Sequence, residues 1–307
     1  MINTPTVLIL GAGASAPRGF PTGQQLLAEA RRLNLESIVQ MISPISRTSA
    51  PAFHQAITDT LDKSLDAMLE RRADLIQAGK AYMARALLQY EARSRDQNYD
   101  GPGEWYRELW EAMDADSIER FRRNKLTIIT YNYDRSLEYA LASALREKFR
   151  VSGPECAVAL DSIGPIHLHG QIGALPVFMT SSPSTVPYGS TREGITPSDA
   201  QLGAQGIKII HEAQPQDEGF LRARDALSHA ERVVFLGFGF AKTNVDRLAL
   251  RTCLGRAVPL FICRTGFTQP QFALKVIPQI DDWADRHIGE ENHDIVQFLR
   301  HHPEALS

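Results

Sequence analysis

Three short polar segments of the 307-residue chain carry residue types that could do chemistry, and each follows an apolar run. The first is Gly11-Ala12-Gly13-Ala14-Ser15-Ala16, which fits G-x-G-x-x-G/A directly after Thr6 to Leu10. In that pattern the first glycine permits a tight turn and the second admits a pyrophosphate close to the backbone. Loop N–H groups and a helix N-terminus then attract the anion. A structural glycine turn without a ligand is the competing reading. The serine-nucleophile pattern G-x-S-x-G is missed, because Pro17 stands where a glycine is required. Pro17, Gly19 and Pro21 lengthen the loop, and no acidic residue closes a second strand about 20 residues on, so an ordinary dehydrogenase is a poor match.

The second segment is Thr130-Tyr131-Asn132-Tyr133-Asp134, after the apolar run from Leu126. Ligands of open α/β sheets lie beyond the carboxyl ends of strands, and residues two apart in an extended chain point the same way. Asn132 and Asp134 could thus present an amide and a carboxylate to one ligand, although Asp134 could equally cap a helix from Arg135. The third segment is Ile166-His167-Leu168-His169-Gly170. Its H-x-H spacing suits either a metal pair or a single general base near neutral pH. A related end, Leu236-Gly237-Phe238-Gly239-Phe240 followed by Asn244 and Asp246, places two glycines where a backbone meets a ligand or simply turns into a helix.

These segments require strands to position them. Strands are expected at Thr6–Leu10, Leu126–Thr130, Ile163–Leu168, Ile207–Ile210, Val233–Leu236 and Pro259–Cys263, alternating with helices. Thr22 and Gln25 form a capping box for a helix through Leu26, Leu27, Ala30 and Leu33. Apolar residues from Leu61 to Tyr90 recur at helical spacing, and the pattern breaks at Asp100-Gly101-Pro102-Gly103 before resuming at Trp105. The chain therefore reads as a Rossmann-like, doubly wound parallel α/β sheet (1–34 and 124–307) with a helical module inserted over 35–123, a scaffold, lid or partner surface. Residues 181–197, rich in Ser, Thr, Pro and Gly, read as a long surface loop. The histidines at 287, 293, 301 and 302 read as the solvated face of a helical tail.

Composition narrows the class. A net charge of −3 without a basic run gives no electrostatic basis for nucleic-acid binding. Three scattered cysteines, Cys156, Cys253 and Cys263, make neither a disulfide framework nor a zinc ribbon, and no metal is expected. No Lys or Arg precedes Arg18, which argues against a secretory leader, and no apolar run approaches the ~18 residues of a membrane span. A cytoplasmic protein is expected.

Taken together, the motifs resemble those of the sirtuin family. Gly11 to Ser15 with Gly19-Phe20-Pro21 is similar to its G-A-G-x-S…G-x-P loop, Asn132-Tyr133-Asp134 to its T-x-N-x-D motif, His169-Gly170 to its H-G, and Gly237 to Phe240 to its ribose-binding strand end. The four occur in order over roughly 11–246. The four-cysteine zinc ribbon of the deacylases is lacking, and helical sequence precedes the N-x-D motif, a pattern that looks like the bacterial sirtuin-like NAD hydrolases, many of which act in anti-phage defence. Ser64-Leu65-Asp66-Ala67-Met68-Leu69 also resembles a segment of that branch.

The resemblance implies cleavage of the nicotinamide–ribose bond of NAD, with NAD as substrate and nicotinamide and ADP-ribose, linear or cyclised, as products. It implies catalytic roles for Asn132, His169 and Asp134, and binding roles for Gly11, Ala12, Gly13, Ser15, Pro21, Thr130, Gly237, Gly239, Asn244 and Asp246. It also implies control by homo-oligomerisation or by a separate protein such as a ring ATPase or a short Argonaute. NAD-dependent deacylation or ADP-ribosyl transfer, and a non-catalytic NAD or ADP-ribose-binding assembly module, are the alternatives.

Overall fold

The computed structural model describes residues 1–95, 104–176, 185–190, 194–209 and 212–307. Six strands form one sheet, every pair parallel: β1 (Thr6–Leu10), β2 (Leu126–Thr130), β3 (Ile166–His167), β4 (Arg232–Leu236), β5 (Leu260–Ile262) and β6 (Arg286–Ile288). The order is β3-β2-β1-β4-β5-β6. This is the Rossmann order, and the chain reverses its direction of travel across the sheet between β1 and β4, so a crevice opens there beyond the carboxyl ends. β1 and β4 consist almost wholly of apolar residues because both faces are covered. Leu8, Leu10, Val234 and Leu236 enter one core, while Val7, Ile9, Val233 and Phe235 enter the other.

The helices, in chain order, are α1 (Gly23–Ala30), α2 (Leu35–Ile42), α3 (Ala50–Asp59), α4 (Leu65–Arg71), α5 (Ile76–Arg95), α6 (Trp105–Ala112), α7 (Ile118–Phe121), α8 (Ser136–Phe149) and α9 (Gly153–Asp161). After β3 come α10 (Pro197–Gly206), α11 (Glu218–Ser228), α12 (Lys242–Leu248), α13 (Leu250–Cys253), α14 (Gln269–Lys275), α15 (Ile277–Ile280) and α16 (Ile295–His301). One sheet face is covered by α6, α8, α9 and α16, the other by α11 and α13 to α15. A third core gathers α1 to α5 with Ile172, Val186, Ile195, Ala204, Ile207 and Ile209. Trp105, Leu109, Met113 and Phe121 pack in the sheet core and not in that helical lobe.

Several expectations need correction. The third strand shrinks to Ile166–His167, because Gly164 turns the chain at φ +54° before it. Within 207–209 there is no sheet strand, only one antiparallel bridge from Ile207 to Gly170; residue 210 lies outside the described residues, as do the break at 100–103 and residues 181–184 and 191–193 of the expected 181–197 loop. The chain near His287 is the edge strand β6, not a helical tail, with the His287 ring stacked on Phe261 at 4.3 Å. A three-residue edge strand reading Arg-His-Ile has no apolar alternation to reveal it. Leu61, placed on the helical stripe, is 99% exposed in the link between α3 and α4. The capping box of α1 forms as expected, with Thr22 Oγ1 accepting from Gln25 N and Gln25 Oε1 accepting from Thr22 N, but that helix ends at Ala30 before reaching Leu33.

Two buried ion pairs tie the segments together. Arg135, at the start of α8, makes a two-pronged contact with Glu91 of α5 (Nε–Oε1 3.0 Å, Nη2–Oε2 2.6 Å). Its Nη1 donates to the carbonyls of Gly173, Ala174 and Val186. Arg18, just after the glycine loop, pairs with Glu104 at 3.0 Å.

Candidate active site at the carboxyl ends of the strands

β1 runs into the glycine loop, and β4 into Gly237, side by side. A Cβ on Gly11 would lie 2.6 Å from Gly237 O, and one on Gly13 would lie 2.9 Å from Gly237 Cα. The glycines are thus demanded by contact between two backbones, where the sequence suggested a pyrophosphate. The N–H groups of Gly11, Gly13, Ala14 and Ser15 donate to Leu236 O, Gly237 O, Gly11 O and Ala12 O respectively. The anion cradle expected of them is therefore already occupied by the protein's own carbonyls. Two single-turn 3₁₀ helices follow (Ala12–Ala14 and Ala16–Arg18), and no α-helix begins until Gly23. Trp105 Nε1 donates to Ala14 O at 2.7 Å and anchors the loop from behind.

At the end of β2 the Thr130 hydroxyl accepts from the Asn132 N–H at 3.0 Å and holds the turn. The Asn132 amide nitrogen donates to Gly11 O and to Ser15 Oγ, both at 3.0 Å, which joins the β2 end to the glycine loop. Asn132 Oδ1 is buried without a hydrogen-bond partner. Asp134 combines the two placements open in sequence. Its Oδ1 accepts from Ser136 N (3.1 Å) and from the Ser136 hydroxyl, and the residue also lines the cavity described below. The helix starts at Ser136, one residue later than expected, so Arg135 takes the N-cap position and Asp134 holds the first turn from one residue further out. Burial raises the Asp134 pKa, opposed by hydrogen bonds from Ser136 and Ser15. Tyr106 in turn bonds Ser136 Oγ at 2.7 Å, so Glu104, Trp105 and Tyr106 support this region from one short stretch of chain.

His167 and His169 are separated. His167 contacts the Asn132 carbonyl through Nδ1 (2.9 Å) and Glu138 through Nε2, outside the cavity. Burial lowers its pKa, but the Glu138 carboxylate outweighs that, and the net shift is upward. His169 faces the cavity instead, so the two do not make a metal pair. Its carbonyl accepts from Lys208 N at 2.8 Å, and Gly170 takes φ +69° with a would-be Cβ only 2.0 Å from Gly206 O. Only glycine fits there. The His169 ring lies edge-on to Tyr131 (centroids 5.3 Å), is 4% exposed, and leaves Nε2 without a partner.

Burial, helped by the positive charge of Arg247, lowers the His169 pKa to about 4. The folded protein therefore refuses a proton that the unfolded chain accepts below 6.5. This contribution to stability is complete above pH 6.5 and is lost as pH falls towards about 4. Denaturant titrations should show a loss of roughly 3 kcal/mol from this residue between those limits. The His169→Gln variant should lose correspondingly less stability over the same pH range; identical pH profiles would refute the assignment.

Gly11, Ala12, Ser15, Pro21, Gly239 and Asn244, with Asn132, Asp134 and His169, line one cavity of about 180 Å³. Asn244 Oδ1 is also buried without a partner, and its backbone carbonyl accepts from Tyr131 OH at 2.8 Å. Other expected residues stand elsewhere. Gly13, Gly237 and Thr130 form the layer behind the wall. Asp246 lies outside the cavity, on the far part of α12, paired with Lys242. The wall also contains residues not singled out from sequence: Tyr131, Phe238, Met83 and Asp66, whose carboxylate accepts from Tyr133 OH at 2.8 Å. Asp66 was visible in sequence only as part of the Ser64–Leu69 resemblance; that α4 brings it across to Tyr133 depends on the lobe's packing. Among the described residues no Lys or Arg lines the cavity, while Asp66 and Asp134 do, so this wall suits hydroxyls or a cation better than phosphate.

The sequence matches no family model and no curated protein sequence. Among solved structures the chain is similar to a Sir2 homolog determined as its NAD complex, with 16% identity and a TM-score of 0.45, over 98% of this chain and 90% of that one. Likeness at that level concerns the backbone course alone. Among the described residues no helix is long and apolar enough to cross a membrane.

Proposed function

We propose that this protein is an NAD hydrolase whose cavity takes the nicotinamide riboside half of its substrate. One observation carries the reading: Asn132 Oδ1, His169 Nε2 and Asn244 Oδ1 are all buried, all unpaired and all on residues of one cavity at the β1–β4 reversal. An unsatisfied buried polar atom costs about 1–3 kcal/mol, and three in one place are best accounted for by a polar guest. Ligand pockets usually measure about 300–1000 Å³, so a cavity of about 180 Å³ encloses only part of a dinucleotide. An acid-lined wall favours the cationic nicotinamide end over the pyrophosphate.

In the proposed reaction the bond from ribose carbon to the nicotinamide nitrogen breaks, and its electron pair neutralises the pyridinium. The carboxylates of Asp66 and Asp134 stabilise the positive character that develops on the ribose. Asn132 Oδ1 orients a water whose oxygen bonds to that carbon, and His169 Nε2 takes the water's proton. With a pKa of about 4, His169 is neutral and able to accept a proton throughout the neutral range, and it is a weak base. A weak base suffices when the attacked carbon is already cationic. Gating by self-assembly or by a separate activator, and a role as an NAD-depleting defence effector, extend the same proposal.

Incubation with NAD at several protein concentrations, with mass measurement of the assembly, tests it. Equal amounts of nicotinamide and ADP-ribose are expected. Tight binding of intact NAD without turnover at any assembly state would favour a binding module, and absence of both binding and turnover would overturn the proposal.

A further inference from the structure

We infer a divalent transition-metal site of the zinc class on the edge of the sheet remote from the cavity, formed by His287, His302 and Glu304. Their ligand atoms all lie within 4.8 Å of one another, the one such group of three among the described residues. The Nδ1 atoms of His287 and His302 face the same oxygen, Glu304 Oε1, at 3.8 and 3.5 Å. The His287 separation is too long for a hydrogen bond, and the His302 contact is at most a long, weak one. They are close to the spacing of two ligands on one ion: donors about 2.1 Å from zinc at the tetrahedral angle stand about 3.4 Å apart.

The surroundings hold the ligands in place. The other ring nitrogen of His287, Nε2, lies 3.0 Å from Asp285 Oδ1. A carboxylate on the far nitrogen of a ligating histidine fixes its tautomer and strengthens it as a donor. The His287 ring stacks flat on Phe261 (4.3 Å, 6°), and His302 lies 5.0 Å from Phe298 and 6.1 Å from Phe261. Two imidazoles and one carboxylate select zinc-like ions over magnesium or calcium, which prefer all-oxygen shells. The fourth position faces solvent, since all three side chains are partly exposed. The ion would join β6 to the turn after α16, where Arg232 Nη1 also donates to Ser307 O at 2.9 Å, and so would brace an otherwise open sheet edge.

The test is calorimetric titration of chelator-treated full-length protein with Zn²⁺, with Co²⁺ absorption as a second readout. One saturable Zn²⁺ site per chain and the visible bands of low-symmetry Co²⁺ are expected, with no response to Mg²⁺. His302→Ala and Glu304→Gln should abolish the bands, and Asp285→Asn should weaken Zn²⁺ binding by about tenfold or more. His302→Gln with an unchanged far-ultraviolet spectrum separates lost ligation from lost folding. No saturable Zn²⁺ binding, or binding that these variants leave unchanged, would overturn the site.

Discussion

Asn132→Ala is expected to lower nicotinamide release from NAD by on the order of 100-fold or more, with a much smaller effect on substrate affinity. The side chain has two tasks. Its Nδ2 joins Gly11 O and Ser15 Oγ, which sets the loop against the end of β2. Its Oδ1 is unpaired in the cavity, where the proposed reaction has it orient the attacking water. Alanine removes both, so a stability loss of about 1–3 kcal/mol should accompany the kinetic one. Single-turnover rates and melting curves measured on the same samples separate the two. A variant as active as the parent would exclude Asn132 from the mechanism, whatever its stability.

Arg135→Met is expected to destabilise the fold by about 3–5 kcal/mol, because removing one partner of a buried pair strands the other. For a chain of this size that corresponds to a fall of roughly 5–8 °C in melting temperature. Arg135 and Glu91 are both fully buried, and the guanidinium also satisfies three carbonyls of the chain crossing above it. Burial raises the Glu91 pKa to about 7 even with Arg135 beside it. A carboxyl raised in this way gives its full contribution below its unfolded value and loses it as pH rises through the folded value. Without Arg135 the folded value climbs further, so the deficit of the variant should be larger at pH 8 than at pH 6. Equal deficits at the two values would show that Glu91 is not the group left stranded. The pair fastens the helical lobe to α8, and Asp134 stands beside Arg135 in the chain. The same variant should therefore also slow NAD cleavage, although Arg135 does not line the cavity.

Much of the sheet was legible in the sequence. Thr6–Leu10 and Leu126–Thr130 are strands to the residue, since five apolar or β-branched residues bounded by turns have few other uses. Asn132, His169 and Asn244 could be singled out because each follows a strand at its carboxyl end, where local order along the chain already fixes position. Thr22 and Gln25 could be matched because a capping box is a contact over three residues.

Tertiary structure alone decided the rest. Gly11 and Gly13 announce a close approach in sequence, but only the adjacency of β1 and β4 shows that Gly237 is a group that approaches them. His167 and His169 share a spacing, yet the chain leaves the sheet after His167, and one imidazole turns to Glu138 while the other enters the cavity. Asp66 reaches that cavity from a different lobe, and His287 meets His302 and Glu304 across an edge strand with no sequence period. Periodicity and capping are short-range properties, written in neighbouring residues. Which strands lie adjacent, which buried polar atoms stay unpaired and which distant side chains share a cavity are settled only when the whole chain packs.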